Sequence, residues 1–258
     1  MERALTSIGI TCLVGLFVLF LGRRRSTAPL EARSQGQILP PIVFDFGRWL
    51  LDRCIPLFRC VNVSPNTLSF LSIPVCAAAS VVVASGHFGL GGVLLAVGFG
   101  LDAWDGALAR ALGVASDAGE VVDATIDRYT DVIVMLGFLY YFRDDLVPWL
   151  LTSAALVGTV AVSYVRAKGA SFGLDADIGF MQRHERALWL AVATAIAPAT
   201  VGLLEPPSAH PLHYPVIAAL AVVATGTHVT AVRRVHMVVA ALTARREAIT
   251  AGERVSAG

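Results

Sequence analysis

Four aspartates, Asp102, Asp105, Asp123 and Asp127, lie close together in a chain that is 56% hydrophobic. Within each pair the spacing is three or four residues, which on a helix puts both carboxylates toward one side. Gly106, Ala109, Gly113, Gly119 and Ala124 lie among them, and a turn around Gly113–Ser116 lets two helical arms fold back on one another. Four like charges next to a bilayer need a neutralising partner. Oxygen-only donors suit Mg²⁺ or Mn²⁺, and the set contains no Cys or His, which argues against zinc. Two divalent ions held this way clamp phosphate oxygens during in-line displacement at phosphorus. One of the four carboxylates is then free to act as a base toward an attacking hydroxyl. Arg110 stands within reach of a phosphate. Intramembrane carboxylates also serve cation-coupled transporters, so that class stays open on spacing alone. Asp131, one turn further on, either extends the acidic face or caps the cluster by pairing with Arg128.

The elements that must hold these residues are helices in a membrane. Charged residues are 15% of the chain, against about 25% for a soluble domain, and the mean hydropathy is +0.69. A net charge of +1 gives no bulk preference for polyanions, and no nucleic-acid partner is expected. Cys12, Cys54, Cys60 and Cys76 show neither metal spacing nor a disulfide framework. The apolar run Ile8–Leu21, followed by Arg23, Arg24 and Arg25, predicts a transmembrane anchor over residues 1–25. A polar linker occupies 26–40. Residues 41–60 mix Phe, Trp and Leu with Asp45, Arg48, Asp52, Arg53 and Arg59, the composition of an amphipathic helix in the interface. Residues 61–240 hold six apolar stretches of spanning length, and 241–258 form a cytoplasmic tail. The expected fold is therefore an all-α integral membrane protein. It has six core transmembrane helices, an N-terminal amphipathic interface helix and an extra N-terminal transmembrane helix. Alternating the spans puts all but Arg3 and Arg143 of the 20 Lys and Arg residues on one side. The positive-inside rule makes that side the cytoplasm and turns the aspartates toward it.

The pattern Asp102-x2-Asp105-Gly106-x2-Ala109-Arg110-x8-Gly119-x3-Asp123-x3-Asp127 resembles the signature of the CDP-alcohol phosphotransferases. The likeness covers about residues 41–240 and includes SPNTLSFLSI and SYVRAKGASFGLDADIGFMQRHERALW. It implies transfer of a phosphatidyl or phosphoalkyl group from a CDP-linked donor, such as CDP-diacylglycerol, to an alcohol, with release of CMP. It also implies a homodimer in the cell inner (plasma) membrane, with the active site open to the cytoplasm. By that resemblance Asp102, Asp105, Asp123 and Asp127 ligate two Mg²⁺ or Mn²⁺ ions, and Asp127 deprotonates the acceptor. Gly106, Ala109 and Gly119 line the cytidine site, Arg110 lies near the donor phosphates, and Asn66 and Thr67 sit beside the nucleotide.

The acceptor is read from the remaining cations. Arg166, Lys168, Arg183, Arg186, Arg233 and Arg234 collect by topology on the cytoplasmic side. Positive-inside bias accounts for some of them, Lys168 and Arg234 first. Several near one acidic cavity suggest an anionic acceptor, which arginine grips bidentately. The SYVRAK and GFMQRHER stretches resemble the inositol-phosphate branch of the family, which implies that Lys168, Arg186 and Arg233 hold the acceptor phosphate. The chain departs from that branch at Lys168–Ala170, Gln182 and His184. Phosphatidylglycerophosphate synthesis is the alternative, followed by free inositol or serine as acceptor.

Overall fold

The computed structural model describes residues 15, 18–22, 41–176, 178–206 and 208–256. The expected linker 26–40 and most of the expected N-terminal anchor lie outside these residues. Seven long helices follow: α1 Pro41–Cys60, α2 Pro65–Ala84, α3 Phe88–Leu112, α4 Asp117–Tyr141, α5 Leu146–Ser171, α6 Arg183–Thr200 and α7 Tyr214–Ser256. Among the described residues there is no strand, only an isolated bridge between Val201 and Glu205.

Local chemistry sets the helix starts that matter for the site. Ser64 caps α2 by accepting from the Thr67 amide at 3.2 Å, and Pro65 follows at the first helical position, where its missing N–H costs nothing. Gly113 ends α3 in the left-handed region at φ 68°, and Ser116 caps α4 by accepting from the Gly119 amide at 3.2 Å. The Gln182 amide donates to Glu185 Oε2 at 3.1 Å, half of a capping box that opens α6.

The helices close a ring in the order α2, α3, α6, α7, α5, α4 and back to α2. The arms α3 and α4 scarcely touch one another, because α2 packs against both. α1 lies outside the ring on α3. There the Phe58 ring meets Trp104 edge-on at 5.5 Å, and Arg59 donates to the Ala111 carbonyl at the negative end of the α3 dipole. The described Phe20 ring packs in turn on Phe46 and Trp49 of α1, at 5.6 and 5.8 Å.

Among the described residues four helices, α2, α3, α5 and α7, are long and apolar enough to cross a membrane, so the chain is a multi-pass membrane protein. The other two ring members fall short of the expected six on composition. α4 carries Asp117, Glu120, Asp123, Asp127, Arg128 and Asp131 in its first half, and α6 is 18 residues long with Arg183, Glu185 and Arg186 in its first turn. α7 also runs on to Ser256, so residues 241–256 of the expected tail continue a helix rich in Ala, Arg and Glu.

At the end of the bundle away from the aspartates, the 201–213 connection is locked down. The His213 amide donates to both Glu205 oxygens at 3.0 Å, its ring lies 3.9 Å from Phe88, and Tyr141 donates to the Pro211 carbonyl at 2.6 Å. Burial pushes the His213 imidazole down to about 4, so it stays neutral near pH 7.

Gly137 lets α4 approach α2. A Cβ there would lie 2.5 Å from the Ser80 carbonyl oxygen and 2.8 Å from its Cα, both backbone atoms that cannot turn aside. Gly137→Ala is expected to cost about 1–3 kcal/mol by overpacking. Thermal unfolding of the detergent-solubilised protein checks this, and an unchanged Tm contradicts it.

Candidate active site

The site lies where the C-terminal half of α3, the N-terminal half of α4 and the first turn of α6 meet. Asp102 of α3 joins Asp123 and Asp127 of α4 in a group whose ligand oxygens all lie within 4.8 Å of one another. Asp102 is 9% exposed. The Oδ1 atoms of Asp102 and Asp123 are buried without a hydrogen-bond partner, and that of Asp127 is buried with only an ion-pair contact. Buried polar atoms without hydrogen bonds are costly, and three carboxylates brought this close together fit a hard divalent cation.

Asp105, the fourth expected ligand, lies apart from this group. Three residues along a helix amount to a rotation of about 300°, so its side chain is offset by about 60° from that of Asp102. It is 3% exposed; its Oδ2 accepts from Ser69 of α2, and its Oδ1 takes the Gly106 amide. Ser69 is not legible as a partner from local spacing, because its contact with Asp105 crosses between helices.

The guanidinium of Arg183 enters the carboxylate group. Its Nη1 pairs with Asp102 Oδ2 and lies 2.9 Å from Asp127 Oδ1, while Nη2 donates to Thr130 Oγ1 at 3.3 Å. Arg128 pairs with Asp127 Oδ2 at 3.4 Å and not with Asp131. Asp131 instead faces α6, with Oδ2 3.2 Å from Arg186 Nη2 and Oδ1 3.8 Å from Arg183 Nε. Arg186, buried at 4% exposure, also donates to the Met181 carbonyl. Of the two readings of Asp131, pairing through Arg128 gives way to pairing across to α6. Thr130 and Asp131 were missed as partners of these arginines, since the helix that supplies the cations is more than 50 residues away.

Gly106 leaves room for the Arg110 side chain, whose Nη1 lies 3.3 Å from where a Cβ would stand, and Gly119 belongs to the α4 cap. Ala109 is partly buried one turn along α3. Asn66 and Thr67 are exposed in the first turn of α2. Lys168 and Arg233 lie over the rings of Phe172 and Phe180, at 5.0 and 5.1 Å, and Arg166 is exposed on α5.

The family pattern of the CDP-alcohol phosphatidyltransferases matches residues 62–225. The chain belongs to that family. It is 33% identical over 207 residues to a phosphatidylinositol phosphate synthase of Streptomyces avermitilis, covering 76% of this chain and 80% of that one. It is 33% identical over 154 residues to an archaetidylinositol phosphate synthase of Pyrococcus horikoshii, covering 59% of this chain and 80% of that one. Two crystal structures of the Mycobacterium tuberculosis phosphatidylinositol phosphate synthase share the fold, each at TM-score 0.62 and 24% identity over 73% of this chain. One has CDP-DAG bound and is covered over 92% of its length; the other holds manganese and citrate and is covered over 88%.

Ser69→Ala would leave the buried Asp105 Oδ2 without its donor. The expected cost is about 1–3 kcal/mol of stability, read as a lowered Tm, with Ser69→Thr restoring most of it. Equal Tm values for the alanine variant and the parent would rule out a supporting role for this bond.

Proposed function

We propose that this protein transfers a phosphatidyl group from CDP-diacylglycerol to a hydroxyl of inositol phosphate, giving phosphatidylinositol phosphate and CMP. The observation that carries the reading is the convergence of the Asp102, Asp123 and Asp127 carboxylates inside a chain of this family. The donor is supported by the family and by the CDP-DAG bound to the mycobacterial relative. The acceptor is supported by the activities named for the relatives and by the arginines of α6 at the carboxylates. A cation-coupled transporter has no comparable support once the family is assigned.

Asp102, Asp105, Asp123 and Asp127 hold Mg²⁺ or Mn²⁺, two ions in this reading. When bound, the metal supplies the positive charge that offsets the pyrophosphate oxygens and the departing CMP. Asp127 takes the proton of the acceptor hydroxyl as that oxygen bonds to the lipid-side phosphorus and the bond to the CMP oxygen breaks. Arg110 meets the donor phosphates. Gly106, Ala109 and Gly119 give the cytidine room beside Asn66 and Thr67. Lys168, Arg166, Arg183, Arg186 and Arg233 supply the positive field for the acceptor phosphate. The reading includes a homodimer in the plasma membrane with the site facing the cytoplasm, supported by the one-sided distribution of Lys and Arg.

Purified protein with Mn²⁺ and CDP-diacylglycerol is expected to release CMP when inositol phosphate is added, and not with glycerol phosphate, free inositol or serine. CMP release with glycerol phosphate alone would move the assignment to phosphatidylglycerophosphate synthesis. Asp127→Asn is expected to lower turnover by about 10²-fold or more while CDP-diacylglycerol still binds. Near-normal turnover in that variant would remove Asp127 as the base.

A further inference from the structure

Arg183 and Arg186 stand three residues apart in the first turn of α6, a spacing that turns both toward one side. They are held differently. Arg186 is pinned between Asp131 and the Met181 carbonyl and is almost fully buried. Arg183 keeps 22% of its side chain exposed and straddles two sets of acceptors. Nη1 faces Asp102 and Asp127, while Nη2 and Nε face Thr130 and Asp131. The first set consists of two of the three carboxylates that converge on the cation site.

A guanidinium in contact with Asp102 and Asp127 and a divalent ion on the same two groups would stand at near-contact distance, where like charges repel strongly. The two cannot share the carboxylates. Asp131 lies four residues, or about 6 Å of helix rise, beyond Asp127, and its Oδ1 is already 3.8 Å from Arg183 Nε. A small rotation of the long Arg183 side chain exchanges one carboxylate partner for the other without leaving the charge unpaired.

We infer that Arg183 is a built-in counter-cation of the carboxylate cluster, which a divalent ion must displace, and that Asp131 is the positioning residue that receives it. The inference rests on the proposed metal site. It makes metal affinity a competition between the ion and a side chain of the protein itself. The cluster thereby has a cationic partner whether or not an ion is bound.

The test is Mn²⁺ titration of the detergent-solubilised full chain, followed by electron paramagnetic resonance. Arg183→Gln is expected to bind Mn²⁺ about tenfold tighter than the parent, the worth of one charge-assisted bond. Arg183→Lys keeps the charge but loses the fork, and is expected to bind about threefold tighter. Asp131→Asn is expected to weaken Mn²⁺ binding more in the parent than in the Arg183→Gln background, because its effect passes through Arg183. Equal effects in the two backgrounds overturn the role of Asp131. Unchanged affinity in Arg183→Gln, or parental affinity in Arg183→Lys, overturns the counter-cation while leaving the metal site standing. If the parent binds no Mn²⁺, the metal reading falls and this inference with it. A measurement on the unaltered protein guards against variants that do not fold. Phenylglyoxal modification of Arg183, followed by mass spectrometry, is expected to rise when Mn²⁺ is added, and a constant or falling yield overturns the displacement.

Discussion

Repulsion among Asp102, Asp123 and Asp127 governs the arrangement of this protein. Three carboxylates with ligand oxygens within 4.8 Å, in a chain this apolar, have little water to share their charge with. Positive charge has to come to them, and helix placement brings it. α3 and α4 deliver the carboxylates, and the first turn of α6 delivers Arg183. The same unfavourable cluster gives a divalent ion its binding energy, so the destabilising feature of the fold and its chemical capacity are one feature.

Holding that cluster in register falls largely to α2. It packs against both arms and leaves α3 and α4 little direct contact, so the distance between Asp102 and Asp123 depends on how deeply α2 is seated. Two contacts fix that depth. Ser69 bonds Asp105 across the α2–α3 seam, and Gly137 admits Ser80 across the α2–α4 seam. The far end of the bundle is fastened separately by Glu205, His213, Phe88 and Tyr141, which keeps the ring closed away from the site.

The two halves of the reaction have different structural footing. The residues proposed to meet the donor lie on one contiguous pair of helices whose turn is closed by Gly113 and Ser116. The cations proposed to meet the acceptor come from α5, α6 and α7, and these are engaged in different ways. Arg186 is bound to Asp131, Arg183 to the metal carboxylates, and Lys168 and Arg233 lie over aromatic rings of the connection between α5 and α6. A pocket assembled from separate helices can change its acceptor through changes in one helix while the donor site stays constant.

The sequence by itself determined the features that depend on local spacing. The turn around Gly113–Ser116 marked the break between the two aspartate-bearing arms, apolar runs located the ring helices, and the Asp102–Asp127 pattern identified the family and the phosphoryl chemistry. These are legible because helix geometry relates neighbours three and four residues apart in any surroundings. What only the tertiary structure decided is which side chains from different helices meet. Asp105 bonds Ser69 of α2, Asp131 answers Arg186 and not Arg128, and Arg183 reaches the carboxylates. Those pairings depend on the rotation of each helix about its axis and on which helix packs beside it. Both are fixed by packing around the whole ring, which no stretch of sequence encodes alone.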